Sequence, residues 1–202
     1  MMADSLANDI KTKLSQYRPK IETAPSSFKQ ASVLIPFYLR PTGLHLVFMK
    51  RPDDQGPHGG QISFPGGSRD ERDNDDSSVA LRETEEEFGV NRESIELWGR
   101  LKPQFTTVSS FWVTPFVGLL PYPANFSPSE TEVERLLVIP FSFLRSNHSF
   151  SVGTYNWKGF EVPSYLYEYK NDVIWGLTAR ILFNLITLIE TGHESDDPWP
   201  PT

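Results

Sequence analysis

Cysteine is absent from the 202 residues, histidine occurs four times and methionine three. Without cysteine there is no disulfide, no thiol nucleophile and no thiolate-bound zinc, and the composition fits a reducing, cytoplasmic compartment. No apolar run reaches the roughly 18 to 20 residues that a membrane-spanning helix requires. The opening residues, MMADSLANDIKTKLSQYR, carry no uninterrupted apolar stretch of the secretory kind. Positive charge is also short, with 19 Lys and Arg against 26 Asp and Glu for a formal net charge of −7. Broad attraction to nucleic acid or to an anionic membrane needs a clustered positive surface, so neither is expected as a partner. No phosphate-loop lysine motif and no Ser-His-Asp arrangement is evident, which removes support for P-loop chemistry and for a covalent serine.

Aromatic residues are plentiful, with 14 Phe, 7 Tyr and 5 Trp, enough to dominate a core. Trp112 and Trp175 are expected in that core. The length suits one unit spanning residues 1–202. Leu6, Ile10, Leu14 and Tyr17 recur at helical spacing and predict an N-terminal helix over about 3–18. The segment from about 193 to 202, with DDPWPPT after His193, predicts a loose tail. Oligomeric state is open between monomer and homodimer.

SVLIPFYLR and LHLVFMK, between Ala31 and Lys50, predict two strands joined at Pro41-Thr42-Gly43. A long Gly-, Pro- and Asp-rich segment follows, with one short strand around Gln61 to Phe64; loops of this length are usually functional. A helix is predicted from Asp76/Ser77, ended by Gly89 as its cap. IELWGRLKP, FWVTPFVGLL, VERLLVIPF and YLYEYK have strand character, and IWGLTARILFNLITLIE aligns Leu177, Ile181, Leu185 and Leu188 on one face of a closing helix. Strands, a helix, more strands and a last helix predict an α/β protein with a mixed sheet packed between helices.

Chemistry concentrates in RETEEEFG. At about 100° per residue, Glu83, Glu86 and Glu87 share an arc of roughly 100°, beside a less polar stripe of Ala80, Thr84 and Phe88. Like charges at this spacing repel by roughly 0.2 to 0.5 kcal/mol per pair on an exposed helix. A Glu-rich helix is often no more than a solvated face; a divalent cation is what would turn the repulsion into a platform. Mg²⁺ and Mn²⁺ are hard ions that take oxygen ligands and bridge carboxylates to phosphates.

The segment FPGGSRDERDNDDSSVALRETEEEFGV resembles the Nudix box, in which Gly, Glu, Arg-Glu, Glu-Glu and Gly recur at fixed spacing. Gly67 holds the first glycine, Arg82-Glu83 the Arg-Glu, Glu86-Glu87 the Glu pair and Gly89-Val90 the ending. Asp73 stands at the early Glu with one extra residue after it, and Thr84 at the first apolar position. The resemblance implies a Nudix-type α/β/α sandwich with a mixed β-sheet. It implies metal ligation by Glu83, Glu86, Glu87 and the backbone carbonyl of Gly66, with Arg82 bracing the carboxylates. A general base is sought among Glu86, Glu130, Glu132 and Glu134. Arg51 and Arg69 suit phosphate contacts, and His58 reads as a structural residue first.

HGGQISFPGG, SFWVTPFVG, EVERLLVIPF and IWGLTARIL further resemble the coenzyme A pyrophosphatase branch of that family. This implies cleavage of coenzyme A or its acyl derivatives to 3′,5′-ADP and 4′-phosphopantetheine, with Arg51, Arg69, Gly60 and Gln61 binding substrate. Arg51 and Gly60 hold two positions of the branch motif, whereas Pro52 stands at the small residue and Gly56 at the second Arg. ADP-ribose, a dinucleotide or a nucleoside triphosphate are alternative substrates, and a non-catalytic nucleotide-binding module is the alternative of another class.

Overall fold

The structure, a computed structural model, describes residues 2–20, 23–53, 58–106 and 110–196. Gly56 lies outside the described residues, as does the tail beyond 196. The order of elements is α1 (Met2–Gln16), β1 (Lys29–Arg40), β2 (Gly43–Lys50), β3 (Ile62–Ser63), β4 (Gly66–Ser68), α2 (Asp76–Phe88), β5 (Glu96–Arg100), β6 (Gln104–Phe105), β7 (Phe111–Leu120), β8 (Arg135–Pro140), α3 (Phe141–Leu144), β9 (Phe150–Trp157), β10 (Phe160–Tyr169), β11 (Asp172–Ile174) and α4 (Gly176–Thr191).

The main sheet runs β3-β2-β1-β7-β5, with β4 also paired to β1, β6 to β7 and β8 to β2. It is mixed: β1 pairs parallel with β7 and antiparallel with β2 and β4. Both faces are buried, and the alternation of side chains along a strand sorts them into two cores. Ile35 and Phe37 of β1 join Leu46 and Phe48 of β2 under α1 and α4, while Leu34, Tyr38, Val47 and Met49 face Ala80 and Phe88 of α2. The sheet therefore sits between helices, as expected for an α/β/α sandwich.

Helix α2 begins after Asp75, whose side chain accepts from the Ser78 backbone N–H at 2.8 Å while Ser78 Oγ accepts from the Asp75 N–H at 3.1 Å. This reciprocal cap is worth about 1 kcal/mol. Gly89 ends the helix in the left-handed region at φ 70°, where a side chain would be strained. Thr84 returns its hydroxyl to the Ala80 carbonyl at 2.7 Å, so it fills its apolar position without an unpaired polar atom.

Several expectations are corrected. Gly66–Ser68 is a strand rather than part of an irregular loop. Strands β9 and β11 lacked a clear alternating signal and were not expected; with β10 they form a separate three-stranded sheet. Ile174 and Trp175 precede α4 rather than opening it, because Ile174 closes β11. Trp112 and Trp175 are half-buried, and among the described residues the buried tryptophan is Trp98, stacked on Phe37 at 5.4 Å. Glu194, placed by sequence in the loose tail, is buried and accepts from Tyr17 Oη at 2.8 Å and from the Lys102 N–H at 2.7 Å.

Candidate active site

The strand Gly66–Ser68 lies between β1 and the acidic face of α2. It can do so because it begins with two glycines. A Cβ on Gly66 would overlap the Ser32 carbonyl and Val33 of β1, and one on Gly67 would overlap the Glu83 carboxylate. Absence of side chains is what lets the backbone approach both neighbours.

Glu87 is buried. Its Oε2 accepts from the Gly66 N–H at 2.9 Å and its Oε1 from Arg51 Nη2 at 3.3 Å. Those two donors do not offset its loss of water: burial pushes the Glu87 carboxyl up to about 8. Burial also raises Glu83, although Arg82 acts in the opposite direction. The charge of Glu132 adds to the upward push on both.

Arg82 uses every donor it has. Nε and Nη2 donate to the two oxygens of Asp73, Nη1 to Glu83 at 2.8 Å and to Glu86 at 3.0 Å, and Nη2 also to the Ser68 carbonyl at 3.2 Å. A guanidinium carries five N–H groups, so none is left over for a ligand.

The sequence-predicted residues fall into three groups. Glu83, Glu86, Glu87, Arg82, Gly66 and Arg51 come together. Gln61 and His58 meet each other at 3.3 Å and, with Arg51, Gly66 and Gly67, border a cavity of about 350 Å³. Gly60 supports that loop at φ +76°, but its N–H is already donated to the Arg51 carbonyl at 3.0 Å, so it turns the chain rather than offering a donor. Arg69 is not brought to this place: it faces Asp76 at 3.4 Å, the Asn74 carbonyl at 3.2 Å and Gln30 at 3.5 Å near the start of α2. Of the loop glutamates, Glu134 is paired with Lys50 at 2.9 Å, leaving Glu132 as the one whose charge acts on both buried carboxylates.

Two features went unread in the sequence. The bidentate bond from Arg82 to Asp73 gives the loop acid a bracing task that only its side-chain partner reveals. Phe64, Phe111, Val113, Leu177 and Ile181 line the cavity, and apolar residues on strands and helices carry no mark distinguishing a lining from a core.

Side chains converge on Arg82 rather than on a common empty point: among the described residues no three His, Asp or Glu side chains are gathered to hold a metal ion. The donor set nonetheless suits a hard divalent cation. All its members are oxygens, and Glu83 and Glu87 are acids that burial leaves short of positive charge.

An α/β/α sandwich that packs an acidic helix against a Gly-Gly strand defines the class. The profile of the NUDIX domain matches residues 29–138. A protein described as an uncharacterised Nudix hydrolase, NudL, from Pectobacterium atrosepticum is 34% identical over 183 residues, covering 88% of this chain and 92% of the relative. Its namesake from Yersinia enterocolitica is 34% identical over 192 residues, covering 91% and 97%. The crystal structure of a NUDIX hydrolase from Alicyclobacillus acidocaldarius superposes with TM-score 0.53 at 15% identity over 85% of this chain and 98% of that one, a likeness of fold alone. The chain belongs to the Nudix family.

Proposed function

We propose that this protein is a divalent-metal-dependent pyrophosphohydrolase that cleaves coenzyme A or its acyl derivatives into 3′,5′-ADP and (acyl-)4′-phosphopantetheine. As a Nudix hydrolase it acts on a pyrophosphate bond; the coenzyme substrate and the residue roles are the proposal. The observation that carries it is the wedge of Glu83 and Glu87 against Gly66-Gly67, joined through Arg51 to a cavity with apolar walls.

Glu83, Glu86 and Glu87, with the Gly66 backbone, would hold Mg²⁺ or Mn²⁺. When bound, such cations neutralise charge on the diphosphate and acidify the attacking water. Arg82 fixes Glu83 and Glu86 relative to each other and to the Asp73 loop. Arg51, half-buried and bordering the cavity, would donate to a phosphate oxygen while keeping Glu87 in place. Glu86, half exposed although it accepts from Arg82, and the loop acids Glu130 and Glu132, for which no ion pair is described, are the groups proposed to take the proton from water. The net charge of −7, with 19 Lys and Arg against 26 Asp and Glu, disfavours a nucleic acid, and the partner is a small nucleotide-type molecule. Among the described residues no helix is long and apolar enough to cross a membrane.

A substrate panel tests the assignment: coenzyme A, acetyl-coenzyme A, ADP-ribose, a dinucleoside polyphosphate and a nucleoside triphosphate, with products identified by mass. Coenzyme A and its thioester are expected to be cleaved fastest, to the two products above. Cleavage of ADP-ribose far faster than coenzyme A would overturn the coenzyme assignment and leave the pyrophosphohydrolase.

A further inference from the structure

We propose that the first turns of α4, with Ser63, select the non-nucleotide half of the substrate, seating an uncharged, extended, amide-bearing arm in the cavity beside Gly66–Ser68. The proposal rests on the pyrophosphohydrolase reading and adds which half is held where.

The cavity volume of about 350 Å³ is at the small end of ligand pockets, roughly 300 to 1,000 Å³. It takes one half of a coenzyme-sized molecule, and its walls decide which. Phe64, Phe111, Val113, Leu177 and Ile181 are apolar, and the single cation among the described lining residues is Arg51, already 3.3 Å from Glu87. With Arg51 assigned to the diphosphate, a nucleotide half with an additional phosphate would bury that further charge there without a free partner, which is costly. An arm built of methylenes and amides carries no charge and gains by leaving water. Its amides also need hydrogen bonds, and the lining includes polar side chains, Gln61, Ser68 and Thr178 among them, together with Ser63, whose Oγ is buried with no hydrogen-bond partner among the described residues and meets the arm by turning about its Cα–Cβ bond. A lone buried hydroxyl is expected to be satisfied.

Helix α4 lies beyond the residues matched by the NUDIX profile, 29–138. The acidic helix and the Gly-Gly strand are thus within the shared part, while Leu177 and Ile181 are supplied by the part that follows it. The arm is thus seated between Ser63, Phe64, Phe111 and Val113 of the shared part and the first turns of α4.

Calorimetric titration of wild type, Leu177→Asp and Ser63→Ala with each product half separately, in magnesium buffer, tests this. Leu177→Asp is expected to weaken 4′-phosphopantetheine at least about tenfold by setting a charge in the apolar wall, and 3′,5′-ADP by less than about twofold. Ser63→Ala, a small change that keeps the fold if Leu177→Asp does not, is expected to weaken 4′-phosphopantetheine about two- to tenfold. Equal weakening of both halves, no weakening of 4′-phosphopantetheine, or no binding of it by wild type would overturn the proposal. The coenzyme reading fails separately: wild type would then leave coenzyme A uncut even though 4′-phosphopantetheine binding still depends on Leu177.

Discussion

Arg82 grips Asp73 with two parallel hydrogen bonds, Nε to Oδ1 and Nη2 to Oδ2, each 3.0 Å long and both partners nearly withdrawn from water. The same guanidinium holds Glu83 and Glu86. One side chain thereby ties the loop before α2 to the acidic face of α2 itself.

Removing Asp73 should leave Nε and one Nη2 hydrogen of the buried Arg82 without acceptors, while its bonds to Glu83, Glu86 and the Ser68 carbonyl remain. Asp73→Ala is expected to lower unfolding free energy by roughly 3 kcal/mol, read as the shift of the urea midpoint. A change within error would mean that Arg82 is held by its remaining acceptors alone.

Glu87→Gln preserves shape and removes a charge. Turnover is expected to fall more than about 100-fold, beyond the 10- to 100-fold typical of losing a mere partner of a metal ligand, with an unchanged circular dichroism spectrum. Glu83→Gln should behave alike. Full activity in both variants would remove this cluster from the reaction.

Gly67→Ala puts a methyl group where the Glu83 carboxylate stands. The strand has β1 on its other side and cannot retreat, so Glu83 must turn away. Misplacement on this scale costs about 100-fold in kcat, measurable in steady-state assays alongside an intact melting transition.

pH separates the two kinds of acid. Glu87 has a raised folded-state pKa, about 8 against an ordinary 4.5, so its contribution to stability is full below the ordinary value and is lost as pH climbs toward 8. Asp73 is held low chiefly by its hydrogen bonds from Arg82; its contribution is present above the ordinary carboxylate range and lost on acidification. With metal chelated, the urea midpoint of wild type should fall from pH 5 to pH 8, and Glu87→Gln should flatten that fall. A flat wild-type profile would show that Glu87 is not desolvated in solution.

A cation that binds only the folded protein stabilises it by mass action, about 2.7 kcal/mol at 100 times its dissociation constant. Magnesium or manganese should therefore raise the melting temperature of wild type and scarcely that of Glu87→Gln, and chelation should abolish hydrolysis. Equal shifts in both would place the cation elsewhere.

Local rules made much of this protein legible in its sequence. Apolar runs bounded by a turn gave β1 and β2, the Pro41 to Gly43 turn gave their pairing, and an uninterrupted helical stretch with Gly89 as a stop gave α2 and the common arc of Glu83, Glu86 and Glu87. These features depend on neighbours within a few positions. Strand β9 was hidden because its side chains are at most half-buried, and β11 because three residues are too few to show a period. Trp112 and Trp175 looked like core because size is visible in a sequence and burial is not.

Tertiary structure alone decided the rest. Only the parallel pairing of β1 with β7, far apart in the chain, fixes where β4 can lie, and only that position sets Gly67 against Glu83 and Gly66 against Glu87. It sent Arg51 to the carboxylates and Arg69 away from them, though both are arginines in the same kind of loop. The identity of the acids is written in consecutive residues; their desolvation arises from chain segments that sequence order keeps apart.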